Sequence, residues 1–167
     1  MVGLSGSGKS TTADMLTQQA NAIRLRSDAI RKHLAGVALH ATGSDEIYTQ
    51  AMTDRTYTRL IELGVRLASQ GYRVILDAKF DRQAKRKEAI AQAQAHSISL
   101  AFLYCSAPEA VLKSRLDQRS GDIADATAAI LAKQSMEPFG TEETLITIDT
   151  TQPKADIQQR LVSVFPA

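Results

Sequence analysis

The chain has 167 residues, 44% of them hydrophobic and 23% charged, so it can bury one sizeable core but is too short for two ordinary domains. Its 20 basic and 18 acidic residues leave a net charge of +2, too small to indicate a nucleic-acid-binding protein by electrostatics alone. The single cysteine excludes an internal disulfide, and no apolar stretch approaches the ~18 residues of a membrane span. We therefore expect one cytoplasmic domain over residues 1–167.

The first half of the chain contains four predicted elements after a glycine-rich opening. Apolar spacing predicts a helix over 11–19, a short alternating strand over 22–26 and a helix over 28–35. Ser27 can cap the second of these helices, and Gly36 ends it. A polar loop then leads to a long helix over 46–70, which Gly71 terminates.

The second half continues the alternation of strands and helices. Short apolar runs predict buried strands over 72–77, 98–105 and 144–149. Helices are predicted over 82–95, 109–119, 122–134 and 153–164, the second of them with Pro108 at its first turn. Cys105 lies in an apolar run, and we expect its thiol to be buried and inert. The alternation predicts an α/β fold with a parallel sheet and helices on both faces.

The segment Gly3–Ser10 matches G-x-x-x-x-G-K-[ST] at every fixed position and leads directly into a helix. Its glycines let backbone amides surround an anion, Lys9 can reach the β- and γ-phosphates of a nucleotide, and the Ser10 hydroxyl can bind Mg²⁺. The predicted nucleotide-binding residues in this segment are Gly3, Ser5, Gly6, Ser7, Gly8, Lys9, Ser10 and Thr11.

The phosphate loop, residues 3–10, indicates a nucleotide but not a reaction, because kinases, GTPases and motor ATPases all use it. No Asn/Thr-Lys-x-Asp motif for reading guanine occurs, which favours ATP over GTP. Only Met1 and Val2 precede Gly3, whereas a strand is ordinarily about five residues long. Either this strand is short or the natural chain extends before Met1.

Asp28 and Arg31 are candidates for an acceptor site. They stand three residues apart at the start of a predicted helix, so they share one face. Asp28 could accept the proton of an acceptor hydroxyl, and Arg31 could hold an anionic group of that substrate. The alternative is an ordinary ion pair between a helix N-terminal acid and the base one turn later.

Three further residues are predicted to belong to the site. Asp77 ends an apolar strand, where a carboxylate can hold Mg²⁺ through water or orient a substrate, although it could instead cap the next helix. Arg115 and Arg119 lie four residues apart on one helix, before the break at 120–122. They could close over phosphates as part of a helical lid over about 113–135, or they could belong to a solvated helix face.

A basic cluster follows Asp77. Such a cluster could bind a nucleic-acid backbone, but no aromatic side chains are interleaved with it, which favours a solvated face. The three histidines show no metal-ligand spacing; His33, one turn from Asp28, could line the acceptor pocket, but we expect it to be exposed. The cluster consists of Lys79, Arg82, Lys85, Arg86 and Lys87.

These motifs occur in the order and approximate spacing of the polynucleotide-kinase-like and zeta-toxin-like P-loop kinases. The chain also resembles chloramphenicol phosphotransferase and adenylylsulfate kinase, and most closely the ATP-binding domains that bacteria sometimes fuse to aminoglycoside-phosphotransferase-like domains. The resemblance covers essentially the whole chain. The motifs are Gly3-x4-Gly8-Lys9-Ser10, Ser27-Asp28-x-x-Arg31, Leu76-Asp77-Ala78 and Arg115-x3-Arg119.

The resemblance implies a P-loop fold with a five-stranded parallel sheet in the kinase-type order 2-3-1-4-5. It implies that Asp28 is the general base, that Arg31 holds the acceptor and that Asp77 contacts substrate or a metal-bound water. It also implies that Arg115 lies near the adenine and Arg119 near the transferred phosphoryl group. The segment 150–153, after the last strand, would line the adenine.

The sequence therefore predicts an ATP- and Mg²⁺-dependent kinase that phosphorylates a hydroxyl of a small-molecule acceptor, with Lys9, Asp28 and Arg119 as catalytic residues. Two alternatives remain open. One is a 5′-hydroxyl polynucleotide kinase, which would bind single strands. The other is an ATP-binding regulatory module without catalysis. The sequence identifies neither the acceptor nor the oligomeric state.

Overall fold

The computed structural model describes residues 1–118 and 128–165, and within these ranges four short strands form two parallel pairs. Strand β1, Ile23–Arg26, pairs with β2, Val74–Asp77. Strand β3, Phe102–Ser106, pairs with β4, Leu145–Asp149. The register places Arg26 opposite Asp77, so charged residues meet at the carboxyl ends of β1 and β2.

Helices connect these strands. A 3₁₀ turn, Asp45–Tyr48, precedes the longest helix. The helices are α1, Lys9–Ala20; α2, Ser27–Leu34; α3, Gln50–Ala68; α4, Gln83–Ala95; α5, Glu109–Asp117; α6, Ala128–Leu131; and α7, Lys154–Leu161.

Both faces of the strands are covered, because successive side chains of a strand point to opposite sides. Ile75, Leu103 and Ile148 belong to one core with residues of α1 and α7. Leu76 and Phe102, from the same strands, pack in a second core with residues of α3 and α4. The predicted α/β architecture with helices on both faces is thus confirmed.

The described residues form two sheets of two strands each and not the predicted single sheet of five strands. The segment before Gly3 contributes one parallel bridge, between Val2 and Tyr104, and is not a strand. The backbone nitrogen of Met1 donates to the carbonyl oxygen of Leu76 at 2.8 Å, and that of Val2 donates to Leu103 at 2.8 Å. The order of five strands therefore stays a prediction.

Helix boundaries differ from the predictions where local hydrogen bonds decide them. Ser27 is the first residue of α2 and makes no capping bond, so the predicted cap is wrong. The predicted helix over 46–70 is interrupted, since the Thr49 side chain accepts a bond from the Met52 backbone and starts α3 after the 3₁₀ turn. Much of the helix predicted over 122–134 lies outside the described residues.

Burial agrees with the sequence prediction in part: Tyr72, at the start of a predicted buried strand, is 54% exposed, and β2 begins only at Val74. Cys105 is fully buried, and burial raises the pKa of its thiol, as a structural cysteine should show. Tyr57, Leu60 and Gly64 on α3 also face the core. In the described ranges, no helix combines the length and apolarity that spanning a bilayer requires.

Candidate active site

A cleft of about 1070 Å³ runs from the phosphate loop across the carboxyl ends of β1 and β2. One wall is the phosphate loop and the start of α1. The other is formed by the start of α2, the beginning of α3 and the segment 78–82 between β2 and α4, which we call the acceptor loop. Arg115, Gln134 and Glu137 close the remaining side. The cleft therefore brings together segments far apart in sequence.

The phosphate loop adopts a conformation that only glycine accepts at two positions. Gly3 and Gly6 have φ angles of 140° and 78°. A Cβ atom on Gly3 would lie 2.5 Å from the Cys105 carbonyl oxygen, and one on Gly6 would lie 2.5 Å from that of Leu112. Because both obstacles are backbone atoms, the glycines are required for the loop to curl between β3 and α5.

The residues of the loop fit a bound phosphate group. Gly6, Gly8 and Lys9 line the cleft, whereas Ser7 is buried away from it, with no hydrogen-bond partner for its hydroxyl in the described part of the chain. The amino group of Lys9 lies 2.8 Å from the Leu4 carbonyl oxygen, so the cation is folded over the loop. Ser10 and Thr11, in the first turn of α1, also line the cleft, where the helix N-terminus favours an anion.

The donor set for Mg²⁺ is small. In the ranges 1–118 and 128–165, no cluster of three His, Cys, Asp or Glu side chains could hold a metal ion. Ser10 and Asp77 both line the cleft. One hydroxyl and one carboxylate suit Mg²⁺, which typically keeps several waters and takes its other ligands from substrate phosphates.

Asp28 is a half-buried carboxylate that lines the cleft from the first turn of α2. In the described part of the chain it accepts no hydrogen bond and forms no ion pair, so the predicted alternative of an ion pair with Arg31 is wrong. Burial raises the pKa of its carboxyl group, and nearby Arg31 partly offsets that effect. A carboxylate in this state can accept a proton.

Arg31 is occupied by protein groups. It is buried and donates to the Ile47 carbonyl oxygen at 3.0 Å and to the Thr53 hydroxyl at 3.2 Å. Its guanidinium lies 5.1 Å from the ring centroid of Tyr48. Arg31 thus holds the 3₁₀ turn and the start of α3 against α2, in addition to lining the cleft.

Asp77 is buried at the end of β2 and is paired with Arg24, a residue that the sequence reasoning missed. The Nε atom of Arg24 donates to the Asp77 carboxylate at 3.0 Å, and the same guanidinium also pairs with Asp14. The alternative in which Asp77 caps the next helix is wrong, because the first backbone N–H of α4, that of Gln83, is bonded by the Glu137 carboxylate instead. Arg24 was detectable only as a charged residue in a short strand.

Arg115, on α5, hydrogen-bonds to the phosphate loop and to the residue that follows β4. It donates to the hydroxyl of Thr150 at 2.8 Å and to the Thr150 carbonyl oxygen at 2.7 Å, and it reaches the Gly6 carbonyl at 3.4 Å. Arg115 therefore connects α5 to the phosphate loop and to the end of β4. Arg119 and the middle of the predicted lid lie outside the described residues.

Every member of the basic cluster has a carboxylate partner. Lys79 pairs with Asp81, Arg82 with Glu137, Lys85 with Asp54 and Glu88, Arg86 with Glu143, and Lys87 with Glu142. The cluster is consequently neutralised by the protein itself. His33 is exposed, as predicted, and so are His40 and His96.

Solved kinase structures share this fold. A gluconokinase from Sinorhizobium meliloti 1021 has a TM-score of 0.68 at 24% identity and covers 97% of this chain and 87% of that chain. A Mycobacterium tuberculosis APS kinase in complex with AMPPNP and APS has a TM-score of 0.70 at 19% identity, and the match covers 98% of this chain and 91% of that chain. A sugar kinase from Janibacter sp. has a TM-score of 0.70 at 22% identity, and the match covers 97% of this chain and 90% of that chain. The fold is that of the P-loop kinases.

Sequence comparison gives the family. Uncharacterized proteins of Mycobacterium tuberculosis and Mycobacterium bovis are 31% identical over 132 residues, which cover 76% of this chain and 26% of those proteins. The chain thus spans about a quarter of the length of the curated relatives it matches. The AAA domain matches residues 1–139, well over half of the chain. The chain belongs to the AAA-domain family.

Proposed function

We propose that the chain is an ATP- and Mg²⁺-dependent phosphotransferase that moves the γ-phosphate of ATP to a hydroxyl of a small-molecule acceptor. The observation that carries this proposal is the placement of Asp28, a carboxylate without a partner in the described residues, in the same cleft as the phosphate loop. A nucleotide-binding loop alone requires no such base. The kinases that share the fold, among them a gluconokinase and a sugar kinase, support the same class of reaction.

Each residue has a proposed part in the transfer. Asp28 takes the proton of the acceptor hydroxyl as that oxygen bonds to the γ-phosphorus, and the bond from the γ-phosphorus to the bridging oxygen breaks to release ADP. Lys9 and the loop amides hold the phosphates, and Arg119 offsets the charge of the transferring group. Ser10 and Asp77 would hold Mg²⁺, which when bound neutralises phosphate charge.

The remaining residues are assigned by their neighbours. Arg115 is proposed to contact the nucleotide, since it already binds Thr150 after β4 and the phosphate loop. Arg31 is proposed to contact the acceptor, although its bonds to Ile47 and Thr53 leave it less able to hold an anionic group. We also propose that Met1 and Val2 complete a five-stranded sheet, because they bond to Leu76 and Leu103 on either side.

The test is release of ADP with Mg²⁺ across a panel of sugars, polyols, aminoglycosides, nucleosides and a 5′-hydroxyl oligonucleotide. Wild type should turn over with at least one small acceptor. Lys9→Ala should lose activity, and Asp28→Asn should lose about 10²-fold or more. Asp156→Asn, an exposed position on α7, is the matched control and should stay active. Tight ATP binding with no turnover on any acceptor would contradict the proposal and support an ATP-binding module.

A further inference from the structure

A side chain from a distant part of the sequence holds the phosphate loop. The Ser5 backbone N–H donates to the Gln134 side-chain oxygen at 3.0 Å, and the Gln134 amide nitrogen donates to the Ser5 hydroxyl oxygen at 3.0 Å. The orientation of the carboxamide follows from chemistry, because the flipped group would set two donors against each other. One side chain therefore binds both the backbone N–H and the hydroxyl group of Ser5.

The residues after Gln134 bind the opposite wall of the cleft. The Glu137 backbone N–H donates to the Asp81 carbonyl oxygen at 2.9 Å. The Glu137 carboxylate accepts a bond from the Gln83 backbone N–H at 2.6 Å and pairs with Arg82 at 3.0 Å. Residues 134–138, which we call the connector segment, thus contact the phosphate loop at one end and the acceptor loop at the other.

Arg86 keeps the connector segment and the acceptor loop together. Its guanidinium donates to the carbonyl oxygens of Phe80 and Asp81 at 3.0 and 3.2 Å, and to those of Glu137 and Pro138 at 3.2 and 2.6 Å. The side chain is fully buried, so these bonds do not compete with water. A shift of the connector segment would therefore be transmitted to the acceptor loop.

We propose that Gln134 is a positioning residue that holds the phosphate loop in the shape that accepts the nucleotide and, through the connector segment, links nucleotide binding to the acceptor loop. A loop fixed before binding loses less conformational freedom when the nucleotide arrives, which strengthens binding. Gln134 acts through Ser5 and is not itself assigned to the chemistry. The proposal rests on the proposed function for the identity of the ligand of the loop.

The first measurement is the affinity for ATPγS with Mg²⁺, which requires no acceptor. Gln134→Ala removes two hydrogen bonds and should weaken binding about tenfold, and Ser5→Ala, which removes only one, should weaken it less. Gln94→Ala, at an exposed position on α4, is the matched control and should bind as wild type does. Unchanged or tighter binding by both variants would overturn the proposal. Ser5→Ala decides the matter if Gln134→Ala does not fold.

The second measurement is amide hydrogen exchange in residues 81–86 at saturating ATPγS. Wild type and Gln94→Ala should show a change on adding the nucleotide, whereas fully loaded Gln134→Ala should show a smaller one, since the Gly3 N–H also donates directly to the Lys79 carbonyl oxygen at 3.1 Å. A response of full size in Gln134→Ala, or its absence from nucleotide-bound wild type, would overturn the link. Failure of wild type to bind ATPγS at all would instead contradict the proposed function, so the two failures are distinguishable.

Discussion

The charged Asp28 carboxylate is expected to lower the stability of the fold while it supports the proposed activity. Because burial raises the pKa of its carboxyl group, the folded protein binds that proton more tightly than the unfolded chain does. The stabilisation from protonation is therefore complete below the ordinary value of 3.8 and is lost as the pH rises through the raised pKa. At neutral pH the charged side chain therefore lowers the free energy of unfolding, and this loss of stability accompanies the proposed role of Asp28 as a general base.

Asp28→Asn should therefore be more stable than wild type at neutral pH while it is nearly inactive. Its advantage in the free energy of unfolding should shrink as the pH falls toward 3.8, since wild-type Asp28 then becomes neutral as well. Urea unfolding of both proteins across this range measures the difference. Asp156→Asn, which changes an exposed carboxylate, should show no such pH-dependent advantage. An Asp28→Asn variant that is less stable at neutral pH would contradict the assignment.

Among the elements, α4 is fixed to its surroundings by one buried ion pair. Arg86 and Glu143 have no exposed side-chain surface, and Arg86 also lies 4.6 Å from the ring centroid of Phe139. Removing one partner leaves the other charge buried without compensation, which costs more than the pair itself contributes. The pair holds α4 to the segment that precedes β4, and with it the wall of the cleft.

Arg86→Met should lower the free energy of unfolding by about 3–5 kcal/mol, because Glu143 would remain charged and buried. Adding Glu143→Leu should recover only part of this loss, since four backbone carbonyl oxygens also lose the donors of Arg86. Urea unfolding of the two variants tests both statements. Full recovery in the double variant would mean that the carbonyl bonds contribute nothing, and a harmless Arg86→Met would refute the role of the pair.

The sequence predicted the existence of most elements, because their hydrophobic periods are local. It placed α4 within a residue of its start. It failed at the break before α3, where the bond from the Met52 N–H to Thr49 competes with continued helix. Such a bond leaves no trace in the apolar spacing.

The sequence alone could not predict which strands pair or which distant segments contact each other. The phosphate loop and the cleft-lining position of Asp28 follow from a motif and its spacing, which any reader of the chain can find. The partner of Asp77 depends on how β1 and β2 align, and Gln134 reaches Ser5 from 129 residues away. Neither arrangement has a local signal, so a single sequence cannot specify it.

For the whole molecule, the distribution of charge bears on the class of acceptor. A net charge of +2 gives little general attraction for a polyanion, and local clusters would have to supply it. The one basic cluster that the sequence indicated is paired with carboxylates throughout, and an anionic ligand would have to displace them. This arrangement disfavours a polynucleotide acceptor.

A fluorescent 5′-hydroxyl single strand should therefore show no appreciable salt-dependent binding when its anisotropy is measured at low and at high salt. The double variant with Asp54→Asn and Glu88→Gln removes both carboxylate partners of Lys85 and should bind more tightly at low salt, which would show that the assay can detect a cation without its carboxylate partners. Binding to wild type that weakens steeply with salt would contradict the prediction, because each phosphate contacted by a single strand adds about −0.7 to the slope of log K against log salt. In that case the paired cluster exchanges its carboxylates for phosphates, which would favour a polynucleotide kinase over a small-molecule kinase.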